Sequence, residues 1–416
     1  MIHTPPPHLA LLFYNTLLWL LTPYLLWRFF REGRTYRDNR YAAQRRGHAH
    51  KHFTEHPVWF HTASVGEVNA LLPLIEALHR QRPELPLLLT SNTASSGRLA
   101  RDKLPAGVEH AYLPMDWRNA VLRFLSQSQP RLGVIMETEL WPNLYQLCAE
   151  GGTPLIIING RVSQKTLRAP GWLRKLYRDC LQQTSLVLAR SDADRDNFLK
   201  LGASTNRCHV TGNIKFAALN SDSPSPIELG RSYILAASSR DDEERLIVEA
   251  WQKTKRNELL VIAPRHPQRL NAILRDLKPF GLNIAVRSRN EQPDATTQLY
   301  IADTFGELRG FMAGAKLVFM GGSLVAKGGH NILEPAALGR AVITGPHMEN
   351  FSDETRTLLE GKGLLQVNSE EELSKAFITL LEDEAECLAQ GARARTTLEY
   401  HSDMVERYMK ILREYL

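Results

Sequence analysis

The chain has 416 residues, 43% hydrophobic and 23% charged, which is long enough for two domain-sized cores and too apolar for a disordered protein. Its net charge of +6 lies in one segment: residues 28–51 hold eight Lys or Arg against two Asp or Glu, and the remainder sums to zero. A nucleic-acid binder carries its charge on the folded domain, so no nucleic-acid partner is expected. The four cysteines, Cys148, Cys180, Cys208 and Cys387, form no CxxC pair, which argues against a zinc site or a disulfide framework and fits a reducing compartment.

Residues 9–27 carry no formal charge and are rich in Leu, Trp, Tyr and Phe. A helix of that length reaches roughly 28 Å, close to the ~30 Å hydrocarbon core of a bilayer. No basic residue precedes it and no small-residue cleavage site follows, so a retained anchor over residues 1–32 is expected rather than a cleaved signal. Arg28, Arg31, Arg34, Arg37 and Arg40 then recur every third residue, which places the body on the cytoplasmic side and offers charge to anionic lipids on that face of the membrane. Asn15 and Pro23 weaken a straight span, and a kinked helix lying in one leaflet stands as the other reading.

Beyond the basic segment, apolar runs alternate with helical patterns, as in parallel α/β folds. Strands are predicted at 58–61, 87–90, 133–137, 155–158 and 186–189, then at 233–237, 259–263, 316–320 and 341–344. A Ser/Pro-rich run separates the groups and gives boundaries at 33–217, a linker at 218–226, and 227–400. Residues 384–416 read as continuous helix, with 401–416 expected to pack back on the first domain. Two doubly wound domains facing a cleft follow, with ligands at the carboxyl ends of the strands.

The strand-end loops carry the chemistry. The loop after 58–61 brings Ser64, Gly66 and Glu67 to a helix start. Glu67 there either serves the helix dipole or takes a proton from an acceptor hydroxyl. Arg98, in a loop of hydroxyls that also suits a plain helix cap, and Arg161 are cationic candidates for an anionic acceptor. Glu137 and Glu139 share one loop and can divide acid and base roles. Asp192 and Asp194 form a DxD, but Ser191 with Asp194 three residues on reads as a helix cap, not a metal site.

In the second half, Arg265 and His266 follow a strand where a guanidinium would hold a leaving phosphate. Residues 321–346, GGSLVAKGGHNILEPAALGRAVITGP, carry two Gly-Gly pairs before a short helix. The loop reads as a phosphate or nucleotide cradle of backbone amides, with Gly321, Gly322, Ser323 and Gly329 in it and Asn331 and Glu334 at the helix start.

Together HTASVGEV, ETELWPNL, NGRVSQKT, TGNIKF, APRHPQR and GGSLVAKGGHNILEPAALG, in this order and after a hydrophobic anchor, resemble the bacterial Kdo transferases, the 3-deoxy-D-manno-octulosonic acid transferases of lipopolysaccharide synthesis. Small departures, such as Ile332 for a proline and Gly160 for an alanine, remove no functional group. The resemblance implies a GT-B enzyme with an acceptor domain followed by a donor domain. It implies inverting transfer of Kdo from CMP-Kdo to the lipid A precursor lipid IVA at the cytoplasmic face of the inner membrane, with no cofactor and no essential metal. Carried over residue by residue, it makes Glu67 the general base and Arg265, Asn331 and Glu334 residues of the CMP site. Glu137 and Glu139 become supports for the reacting sugar or acceptor. The rival readings are another membrane-associated GT-B transferase using a UDP-sugar and a polyprenyl-linked acceptor, or a non-catalytic membrane-surface scaffold.

Overall fold

Each half of the chain is built on an all-parallel sheet of seven strands. The computed structural model describes residues 9–48, 51–53, 55–219, 224–399 and 403–416, which divide into two compact units, Met1–Ala218 with Asp403–Leu416, and Leu219–Ser402. Residues 220–223, the middle of the expected linker, lie outside the described residues, as do residues 1–8 of the expected anchor.

In the first unit the strands are β1 (Val58–Thr62), β2 (Leu87–Ser91), β3 (Glu109–Tyr112), β4 (Leu132–Met136), β5 (Leu155–Gly160), β6 (Leu186–Ala189) and β7 (Cys208–Val210). They lie in the order β3-β2-β1-β4-β5-β6-β7, so the winding reverses between β1 and β4. Alternate side chains serve the two faces. Val58, Phe60, Val134 and Ile156 meet Leu71, Ile75 and Leu78 of helix Val65–Gln81, and also Tyr408, Met409 and Leu412 of helix Met404–Leu412. Trp59, Ile135, Ile157 and Val187 meet Phe124, Tyr145 and Leu181 on the other face.

The second unit holds β8 (Tyr233–Ser239), β9 (Leu259–Pro264), β10 (Ile284–Val286), β11 (Leu299–Ile301), β12 (Leu317–Met320), β13 (Ala341–Thr344) and β14 (Leu364–Gln366). Their order is β10-β11-β9-β8-β12-β13-β14, with the reversal between β8 and β12. All nine predicted strands are present, and five short ones were not legible: β3, β7, β10, β11 and β14. Four of these are sheet edges of three or four residues, too short for a periodic signal and only partly covered. The continuous helix expected over 384–416 is two helices, Glu384–Glu399 and Met404–Leu412. The physical reason is their partners: Gln390 donates to Val342 O (3.0 Å) in the second unit, whereas Tyr408 donates to Gly212 O (2.8 Å) in the first.

Helix Leu9–Thr35 runs unbroken through Pro23, and its mean hydropathy of 1.6 over the most apolar window makes it long and apolar enough to cross a membrane. It is nevertheless held by the first unit at both ends. Tyr14 Oη donates to Asp116 Oδ2 (3.0 Å) and Asn143 Nδ2 to Asn15 Oδ1 (2.7 Å). Towards the other end, Phe29 is buried against Tyr41 and Trp117, and Glu32 Oε1 accepts from Ala94 N at 2.9 Å. Asn15, which reads in the sequence as a flaw in a span, is the polar foot of this docking. The opposite face is open, with Trp19 71% and Leu20 62% exposed.

Candidate active site

The site residues of the first unit stand on loops at the carboxyl ends of β1, β2, β4 and β5, around the reversal where such sheets leave room for a ligand. Ser64 caps helix Val65–Gln81: its Oγ accepts from Glu67 N (3.3 Å) and donates to Glu67 Oε1 (2.7 Å), while Ala63 N donates to Oε2 (2.7 Å). Glu67 is only 7% exposed. Burial, and then the nearby charge of Glu137, push its carboxyl up to about 7 against the pull of those two donors. The helix-dipole reading alone does not account for a carboxyl held so far above its usual range.

Glu137 follows β4 with φ 59, left-handed backbone that a non-glycine residue adopts at some cost, and it pairs with Lys215 Nζ at 3.3 Å. Glu139 Oε2 accepts from Asn92 Nδ2 (2.9 Å) and Trp141 Nε1 (2.8 Å), with buried His61 Nε2 3.7 Å away. Burial alone would raise the Glu139 carboxyl, but His61, Trp141 and Asn92 outweigh it and hold it below the usual range. Behind them Arg45, buried, donates from Nη1 to Asn92 Oδ1 at 2.9 Å. Glu67, Glu137 and Glu139 thus form one electrostatic group. Arg98 and Arg161 are not tied to it: Arg98 is exposed on helix Ala94–Lys103, Arg161 is half-buried after β5, and neither makes an ion pair among the described residues. The Ser191–Asp194 turn is the cap its spacing suggests, since Ser191 Oγ accepts from Asp194 N (3.1 Å) and Asp194 pairs with Arg190 (2.9 Å).

In the second unit the reversal between β8 and β12 gathers cations. Arg240 Nη1 meets His266 Nε2 at 2.7 Å, and the Arg265 guanidinium is exposed with no ion-pair partner among the described residues. His330 Nε2 is buried without a hydrogen-bond partner among the described residues. Burial, then the charges of Arg265, Arg240 and His266, depress His330 to about 4, so its ring is neutral at pH 7. Gly321 is required where the ends of β8 and β12 touch: a Cβ there would lie 2.7 Å from Ser239 Cα. Gly322, at φ +68, leaves room for His330 and Arg240, whose atoms would lie 3.1–3.3 Å from an added Cβ. Gly329 N closes the loop on Gly322 O at 2.8 Å. Asn331 Oδ1 accepts from Leu333 N (3.1 Å) and its Nδ2 donates to Glu334 Oε1 (3.0 Å), which joins the two at the start of helix Leu333–Ala337.

The amides of this glycine loop differ from the sequence expectation of an open phosphate cradle. Gly322 N (2.6 Å), Ser323 N (3.0 Å) and Leu324 N (2.9 Å) all donate to the carboxylate of Glu243, which also accepts from Arg240 N at 3.1 Å. Burial raises the Glu243 carboxyl, and the four amides oppose that shift. In the sequence Glu243 stands within an acidic run, 241–244, that suits a helix start, and no spacing marks His61, Arg45, Lys215 or His330 as site members. Only Arg240, sitting like Arg265 just after a strand, had a readable signal.

A family model described as 3-deoxy-D-manno-octulosonic-acid transferase (kdotransferase) matches residues 40–218. A curated 3-deoxy-D-manno-octulosonic acid transferase of Haemophilus influenzae is 32% identical over 371 residues, covering 86% of this chain and 87% of the relative. That of Bordetella pertussis is also 32% identical, over 379 residues, with 86% and 87% covered. Among solved structures, a UDP-GlcNAc 2-epimerase from Neisseria meningitidis bound to UDP-GlcNAc superposes with a TM-score of 0.57 at 12% identity, covering 85% of this chain and all of that one; this likeness shows the GT-B fold alone. With its motifs on these two sheets and its length matched almost throughout, the chain belongs to the 3-deoxy-D-manno-octulosonic acid transferase family, a family of glycosyltransferases.

Proposed function

We propose that this Kdo transferase takes Kdo from CMP-Kdo and places it on lipid IVA with inversion, using Glu67 as general base. The observation that carries the reading is a carboxyl held near 7 at the carboxyl end of β1, close to the working pH at which a base transfers protons best. Glu67 removes the acceptor hydroxyl proton as that oxygen attacks the anomeric carbon, and the bond to the CMP phosphate oxygen breaks. The negative charge left on CMP is received by Arg265 and by Arg240, which His266 steadies. Asn331 and Glu334 face the nucleoside in this reading, and Gly321, Gly322, Ser323 and Gly329 shape the loop that lets it approach. Ser64, Gly66, Arg98 and Arg161 serve the acceptor, the arginines through its phosphates. Glu137 and Glu139, balanced by Lys215 and His61, keep the surroundings of Glu67 negative.

The test is mass analysis of products from CMP-Kdo and lipid IVA, counting the sugars added. Product from a UDP-sugar and a polyprenyl-linked acceptor, with none from CMP-Kdo, would replace this reading by its rival.

A membrane location at the inner, cytoplasmic face belongs to the same proposal. Because Leu9–Thr35 is docked on its own unit at Tyr14–Asn15 and again at Phe29–Glu32, the helix lies along that unit, and the exposed face with Trp19 and Leu20 enters one leaflet. Arg28, Arg31 and Arg34 add attraction of ~1 kcal/mol each to anionic lipid. Sedimentation with anionic vesicles should be lost in a Trp19→Glu, Leu20→Glu double variant; undiminished binding would point to another surface.

A further inference from the structure

We propose that Glu243 makes the donor site selective for a nucleotide with a single phosphate by filling the anion nest that a second phosphate would need. This rests on the donor reading above and adds to it a selecting residue. Three consecutive amides, those of Gly322, Ser323 and Leu324, converge on one carboxylate, which is the geometry by which backbone loops bind anions. In this chain the anion is the protein's own. Glu243 is 0% exposed, each of its oxygens accepts two amide hydrogens, and no Lys or Arg side chain pairs with it among the described residues.

The nest lies directly behind the cationic cluster, because Gly322 packs against both His330 and Arg240. One phosphate on Arg240 and Arg265 therefore finds cations in front and a carboxylate behind. A further phosphate on that side meets amides already engaged and a buried carboxylate repelling it. The same carboxylate binds Arg240 N, so it also fixes the loop that carries the phosphate-facing guanidinium.

The experiment compares CMP and CDP binding by titration calorimetry with the full chain, as wild type, Glu243→Gln and Glu243→Ala. Wild type should bind CMP at least about tenfold more tightly than CDP, and the ratio should shrink severalfold in Glu243→Ala, where the nest is vacated. Glu243→Gln, which keeps the size and removes the charge, should fall between and guards against an alanine variant that does not fold. Wild type that binds CDP as tightly as CMP overturns the proposal whatever the variants do. An unchanged ratio in a folded variant also overturns it and leaves Glu243 a scaffold of the loop. Wild type that binds neither nucleotide sinks the CMP donor reading instead.

Discussion

The two units share one architecture and carry opposite chemistry at the same topological place. Where the first sheet reverses, between β1 and β4, the loops bring Glu67, Glu137 and Glu139 together; where the second reverses, between β8 and β12, they bring Arg240, Arg265, His266 and His330. A parallel sheet cannot select between these outcomes, since it supplies only strand ends and a gap. The selection lies in a few loop residues, and burial then works against the charged form of two of them, Glu67 and His330. In one unit it raises a carboxyl to about 7, and in the other it lowers a histidine to about 4. The proposed base stands where negative charges crowd, and the proposed receiver of negative charge where positive ones do.

The comparison is broken most directly at Glu67. Glu67→Gln is expected to lose ~10²–10⁴ in transfer rate while still binding CMP, because Glu67 and the residues proposed to hold CMP sit in different units. Turnover near that of wild type would remove the base from the acidic site.

Arg265→Ala should instead leave Glu67 intact and weaken CMP binding by ~10–100-fold, the scale of a lost charge-assisted hydrogen bond of ~1.5–3 kcal/mol. An unchanged dissociation constant would take Arg265 out of the donor site.

The smallest effect is on stability and has a definite sign. The folded-state Glu67 carboxyl stands at about 7 against an ordinary 4.5, so between those values the folded chain holds a proton that the unfolded chain has lost. Stability contributed by the protonated carboxyl is whole below ~4.5 and is lost as pH rises towards ~7, by at most ~3 kcal/mol. Chemical denaturation of wild type and Glu67→Gln should therefore diverge over that window, with wild type losing ground as pH rises. Parallel curves would show that Glu67 titrates normally. The rate should rise through the same pH range as the base loses its proton.

Much of this was legible beforehand, and the legible parts have a common cause. Strands β1, β2, β4, β5, β6, β8, β9, β12 and β13 are covered on both faces, and such strands must be apolar at nearly every position, so each one announces itself over four to seven residues. The residues just after them are then candidates by topology alone, which is how Glu67, Glu137, Arg265 and Gly321 come into view. The edges β3, β7, β10 and β14 have no such constraint and left no trace.

What the sequence determined by itself was local: which segments must be buried, where each strand ends, and which charged residues stand at those ends. Only the tertiary structure decided which of those charges meet. Glu243 reads as a helix-start residue like any other, and it lies 79 to 81 positions from the three glycine-loop amides it binds. Asn15 reads as a defect in an anchor and meets Asn143 across 128 positions. Partnerships over such separations leave no period in the chain, because packing and not spacing brings the atoms together. The shift of Glu67 likewise depends on water excluded by residues far from it in sequence.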